Sequence, residues 1–180
     1  MIMIDVGDFF LVEPSEIYAE QIREYRQDFL DTNCSMDGCG PIRKCEDPFT
    51  YISECEKCTA QDTLPEGLVI ATQFFYVRKA DNRLVGMIQV RHYFNDYLSK
   101  FGGHIGYAIR PSERRKGYAT SMLNAILPYC REIGLDKLLI TCIDGNIGSE
   151  KTIRNNGGVY ESTVYESGKN CSLKRFWITL

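Results

Sequence analysis

Three consecutive cations, Arg114, Arg115 and Lys116, stand before Gly117 in the run RRKGYAT, between a strand-like segment ending at Pro111 and a helix-like segment ending at Gly134. A helix N-terminus carries partial positive charge, and its first N–H groups have no internal partner. Cations there oppose the dipole unless an anion joins them. Gly117 has no Cβ, so a phosphate can come close to the backbone, and successive N–H groups over 116–119 complete an anion cradle. The bland alternative is a solvated charged turn. Two familiar phosphate loops do not fit, since the chain has no G-x-x-x-x-G-K-[ST] and no G-x-G-x-x-G with a downstream ribose-binding acid. What remains is Arg-x-x-Gly-x-Ala, Arg114 through Ala119.

The other residues with chemical potential are histidines and cysteines. His104 opens a strand and titrates in the range of a general base; the competing role is a hydrogen bond that fixes the 94–103 loop. Of the eight cysteines, Cys130, Cys142 and Cys171 fall in apolar runs and read as small buried hydrophobes. Cys34, Cys39, Cys45, Cys55 and Cys58 crowd one segment, but only Cys55 and Cys58 have the spacing of a zinc knuckle, and a structural site pairs two. The reading is reduced thiols in a surface-exposed insertion, with no metal. No cysteine–histidine pair supports a covalent intermediate.

The elements that position these residues follow from periodicity. A first strand is expected over 8–13, then a helix carrying Tyr18, Ile22, Tyr25 and Phe29 on one face. Residues 33–67 form a long Cys-, Gly- and charge-rich insertion with a short helix around 49–57, the candidate for a lid or substrate-facing loop. Runs 68–79 and 84–93 make a hairpin around Asp81 and Asn82. In the strand 104–110, Ile105, Tyr107 and Ile109 share one face. Ala119, Met122, Leu123, Ile126, Leu127, Cys130 and Ile133 stripe the next helix, where Pro128 should introduce a kink and Gly134 should cap the end. A strand over 135–143, a short helix and a closing hairpin complete a mixed α/β chain, expected to form one domain over 1–180.

GHIGYAIRPSERRKGYATSML followed by TCIDGNIGSEKTIRNNGG resembles the cofactor core of the GNAT superfamily of acyl-CoA-dependent N-acetyltransferases; RHY at 91–93 and MDG at 36–38 resemble its bacterial "predicted acetyltransferase" branch. The resemblance implies a mixed, mostly antiparallel sheet with a central parallel pair splayed around the cofactor and helices on both faces. It also implies that Arg114, Arg115, Lys116, Gly117, Tyr118, Ala119 and Thr120 wrap the pyrophosphate of acetyl-CoA. Ala108 and Ile109 would offer main-chain hydrogen bonds to the pantetheine arm and acetyl carbonyl, and Asn146 and Ser149 would contact the same cofactor. The chain departs from the family at one place: the usual thiolate-protonating Tyr, four residues before Gly157, is Ile153. Tyr107 and Tyr160 are the substitutes, and spacing selects neither.

Composition bounds the activity. At net charge −3, generic affinity for nucleic acid is not expected. No run approaches the roughly 18 apolar residues of a membrane span, and the N-terminal MIMIDVGDFFLVEP lacks the features of a signal peptide, so a cytoplasmic monomer or homodimer is expected. Acetyl transfer to a primary amine of a small molecule or peptide is the leading expectation. A non-catalytic acyl-CoA sensor and a zinc-loop interaction module are the alternatives.

Overall fold

The computed structural model describes residues 2–180. Five strands form one antiparallel sheet in chain order: β1 (Met3–Val6), β2 (Phe9–Val12), β3 (Ala71–Arg78), β4 (Arg83–Arg91) and β5 (Ile105–Ile109). The strand expected over 8–13 is the second half of a hairpin whose turn uses Gly7 at φ 69°. A three-stranded antiparallel sheet, ordered β6 (Lys137–Ile143), β8 (Cys171–Thr179) and β7 (Val159–Glu166), closes the chain. No parallel ladder joins β5 to β6 among the described residues.

Helices cover both faces of the larger sheet. On one side, α1 (Ala19–Asp31) and α2 (Pro48–Lys57) bury Ile22, Tyr25, Phe29, Tyr51 and Ile52 against Phe75, Val77 and Met87. On the other, α3 (Tyr118–Glu132) and α4 (Ile147–Asn155) bury the stripe Met122, Leu123, Ile126, Leu127 and Cys130, with Ile153, against Phe74, Ile88 and Ile105. The helix α3 continues through Pro128 to Glu132. Beyond it Gly134, at φ 87°, lets the Leu135 N–H donate back to Cys130 O at 3.0 Å, the left-handed exit a glycine makes cheap.

The insertion is packed rather than loose. Met36, Cys39, Ile42, Cys45 and Cys55 join the α1–α2 core, with Cys39 and Ile42 fully buried. The reading of a surface-exposed, lid-like loop of thiols is corrected on this point: three of its five cysteines are core hydrophobes, and of the insertion only Cys34, Ser35, Asp37 and Gly38 line the cleft. All eight cysteines are free, and among the described residues no three of His, Cys, Asp or Glu converge as a metal site.

Candidate active site

The register of β5 decides what its backbone can do. Arg91 N–H donates to His104 O and Arg110 N–H to Val85 O, while Gln89 faces Gly106 and Met87 faces Ala108. In an antiparallel ladder the bonded pairs alternate, so Gly106 and Ala108, with the His104 carbonyl and the Arg110 N–H, spend their main-chain groups on β4. Ile105, Tyr107 and Ile109 turn theirs toward β6. There the two strands touch at one end only: His104 N–H donates to Leu139 O at 2.8 Å, and Leu139 N–H donates to His104 Nδ1 at 3.0 Å. Beyond that rung they part. A cleft of about 860 Å³ fills the gap and runs to the N-termini of α3 and α4.

At the α3 end the basic loop forms the cradle. Arg115 (φ 61°) and Gly117 (φ 81°) are both left-handed, and Gly117 caps α3 without any side-chain hydrogen bond and with no acid in the first turn. Among the described residues the N–H groups of Arg115, Lys116 and Gly117 donate to nothing. A Cβ built on Gly117 would meet no atom within 4 Å, so the space above it is open. Such a concavity of N–H groups is an anion site by geometry.

The cations of the loop divide their work. Arg114 folds inward: Nε donates to Ile109 O at 3.0 Å and Nη1 to Cys34 Sγ at 3.3 Å. Lys116 Nζ pairs with the buried Glu113 at 2.8 Å, and Lys116 does not line the cleft. Arg115 is exposed on the cleft wall, with no side-chain partner among the described residues. Tyr118, Ala119 and Thr120 complete that wall.

At the α4 end Asn146 Oδ1 accepts from Ser149 N–H at 3.1 Å and so caps α4, while Ser149 Oγ lies 2.9 Å from Tyr107 Oη. Both residues line the cleft. Burial pushes the Tyr107 phenol up to about 12, a rise the Ser149 bond partly offsets, so the hydroxyl holds its proton at neutral pH. Tyr160 lies outside the cleft, 45% exposed and bonded to Thr163. Ile153, at the usual tyrosine position, is fully buried in the core.

Two expectations need correction on geometry. Ala108 lines the cleft and packs into the α1–α2 core, but its main chain belongs to β4, and Tyr25 Oη also donates to its carbonyl at 3.0 Å. Tyr107, beside Ile109, is the residue whose main-chain groups face the gap. The sequence parity was available, but the side of the strand that faces β4 was not. His104 is not arranged as a base. Its Nδ1 lone pair takes the Leu139 N–H, the residue is only 6% exposed, and it does not line the cleft.

The same burial, aided by Arg91, pushes the His104 pKa down to about 4. An unfolded histidine titrates near 6.5, so between those values the unfolded chain binds the extra proton. Stability from this group is complete above about pH 6.5 and is lost as the pH falls toward 4. The expected loss is of order 3 kcal/mol. Urea midpoints measured across this window should fall in the wild type and flatten in His104→Gln.

The far end of the cleft is built by the insertion and by the turn Leu98–Gly102. Gly38, at φ 73°, lies directly on the Gly106–Tyr107 peptide, and a Cβ there would stand 1.9 Å from Gly106 C. Ser35, Asp37, Tyr97 and Lys169 line this mouth. Tyr97 Oη donates to the buried Glu166 Oε1 at 3.1 Å.

A splayed strand edge that runs into an uncapped helix start and a left-handed basic loop suits a long ligand with an anionic end. The sequence pattern described as the Acetyltransferase (GNAT) family matches residues 41–157. The chain belongs to that family. The uncharacterized N-acetyltransferase YnaD of Bacillus subtilis (strain 168) is 30% identical over 88 residues, which is 48% of this chain and 49% of that protein. The chain thus matches about half the length of this curated relative. Among solved structures, a GNAT-family acetyltransferase from Bacillus anthracis aligns at TM-score 0.70 and 18% identity, over 99% of this chain and 98% of that one. RimL, a ribosomal L7/L12 alpha-N-protein acetyltransferase in complex with coenzyme A, aligns at TM-score 0.73 and 13% identity, over 99% and 98%. The expected GNAT-like, mostly antiparallel α+β fold is borne out. No helix of the described residues is long and apolar enough to cross a membrane.

Proposed function

We propose that this chain is an acetyl-CoA-dependent N-acetyltransferase that passes the acetyl group directly to a primary amine of a small molecule or peptide. The observation that carries the reading is the free edge of β5, which runs straight into the N–H cradle at 115–117. Buried unpaired N–H and C=O groups are costly, and a peptide-like pantetheine arm supplies the missing partners. Bound acetyl-CoA brings an activated thioester. Arg115 and the N–H groups of 115–117 hold its phosphates. The Ile109 and Tyr107 N–H groups stand on the edge that stabilises a developing oxyanion.

Tyr107 Oη holds the proton that a departing thiolate requires, oriented by Ser149. Asp37 is the carboxylate at the other mouth; its side chain has no hydrogen-bond or ion-pair partner among the described residues, and it lines the cleft. It attracts the ammonium and takes its proton, directly or through water.

Acetyl-CoA mixed with a panel of primary amines should release free thiol. Peptide α-amines belong in that panel because the RimL structure is described as acting on a protein N-terminus. Binding of coenzyme A with no thiol release from any amine would leave a binding protein and end the enzymatic reading. The cradle has its own check. Gly117→Val meets no protein atom, so its cost to the apo fold is the left-handed backbone alone, about 1–2 kcal/mol. Coenzyme A affinity by calorimetry should fall more than tenfold, because the branched side chain occupies the phosphate's approach. Unchanged affinity would remove the cradle from the site.

A further inference from the structure

A second pocket lies on the α1–α2 side of the larger sheet, away from the acetyl cleft. It has room for about 590 Å³ and is lined by the 13–16 turn, by one face of α2 and by Gln73 of β3. Two buried polar atoms in its wall have no partner, Ser15 Oγ and Gln73 Oε1. Gln73 is 3% exposed, and its orientation is fixed. Nε2 donates to Gly38 O at 3.1 Å, Ile88 O at 3.1 Å and Phe74 O at 3.4 Å. Three carbonyls around one end of the amide demand the NH2 group there, so the oxygen is the end left over. Ser15 precedes a short 3-10 turn, Glu16–Tyr18, without capping it by its side chain. An orphaned buried acceptor asks for a donor.

The charge around these atoms has one sign. Glu13, Glu16 and Glu56 line the pocket, with no lysine or arginine among its lining residues. Glu13 already accepts the Ile2 N–H at 2.6 Å, so the charge available to a ligand is that of Glu16 and Glu56. Pro14, Phe49 and Ile52 supply an apolar wall, on which Phe49 is 49% exposed. We infer that this pocket is a second binding site, for a small alkylammonium cation whose N–H groups meet Gln73 Oε1, Ser15 Oγ and the two carboxylates while its carbon chain lies on Phe49 and Ile52. A bare metal ion fits poorly, because no three ligating side chains converge among the described residues. Gln73 also joins the two sites. The amide whose oxygen faces this pocket holds, through Nε2, the Gly38 carbonyl in the wall of the acetyl cleft.

The test uses 1,4-diaminobutane as the probe, titrated calorimetrically into the full chain with the cleft saturated by coenzyme A. The diamine should bind with an affinity that falls with added salt, and neutral 1,4-butanediol should not bind. In an Asp37→Asn background, where the acceptor mouth no longer attracts the ammonium, Glu16→Gln combined with Glu56→Gln should weaken the diamine at least tenfold. Gln73→Leu should weaken it as well. Should that variant fail to fold, the two exposed glutamates still decide the matter. No diamine binding in that background, equal binding of the diol, or binding undiminished by the glutamate pair overturns the site. Diamine binding and thiol release are separate readouts, so this inference and the acetyltransferase reading can fail independently.

Discussion

Gly38→Ala is expected to cost roughly 3–4 kcal/mol and to open the amine end of the cleft. The added Cβ would stand 1.9 Å from Gly106 C, 2.1 Å from Tyr107 N and 2.2 Å from Gly106 O. All three are backbone atoms of a strand pinned by its ladder to β4, so nothing yields by a rotamer change. The 35–38 turn would have to lift, taking the Gly38 carbonyl away from Gln73 and loosening Met36 and Cys39 from the core. Gly7→Ala is the control. Gly7 has nearly the same backbone, φ 69°, with nothing within 4 Å of a Cβ, so it should cost about 1 kcal/mol from strain alone. Urea unfolding of both variants separates collision from strain. Equal losses would mean that the close approach of Gly38 to β5 does not matter.

Tyr107→Phe should lower kcat about a hundredfold while coenzyme A affinity stays within twofold. General acids contribute about 10²–10⁴. The low end is expected because a thiolate, of ordinary pKa about 8.5, is a tolerable leaving group. Losing the bond to Ser149 should also cost about 1 kcal/mol of stability. The pH profile gives an independent reading. With the phenol pushed up to about 12 by burial, it stays protonated through the neutral and mildly alkaline range. No fall in rate below about pH 10 should therefore vanish in the phenylalanine variant. A kcat within twofold of wild type would return the proton to solvent.

The parts of this molecule legible in its sequence are those written in local pattern. The stripe from Met122 to Cys130, the hairpin of β3 and β4 and a Cβ-free Gly117 at the start of α3 follow from spacing and residue type alone. What was not legible depends on which neighbour arrives. Lys116 looks like a phosphate ligand until Glu113 is found 2.8 Å away. The insertion's cysteines look exposed because their neighbours are polar and Gly-rich, yet Cys39, Cys45 and Cys55 lie in the α1–α2 core. His104 could be placed on its strand but not given its partner, the Leu139 N–H, which lies 35 residues on across the sheet boundary. The hairpin of β1 escaped because Asp5 interrupts MIMIDV, and on so exposed a strand alternation is weak.

The parting of β5 and β6 also bears on how the protein behaves in company. An open strand edge ordinarily invites strands from other chains, and proteins blunt such edges with charge, proline or irregularity. Here two unsatisfied edges face one another inside a single molecule, fastened at His104 and Leu139 and screened by α3 and α4. The edges therefore face a cleft of about 860 Å³ rather than a neighbouring chain. A feature that elsewhere would be an aggregation hazard is thereby turned inward, where only a small guest can reach it.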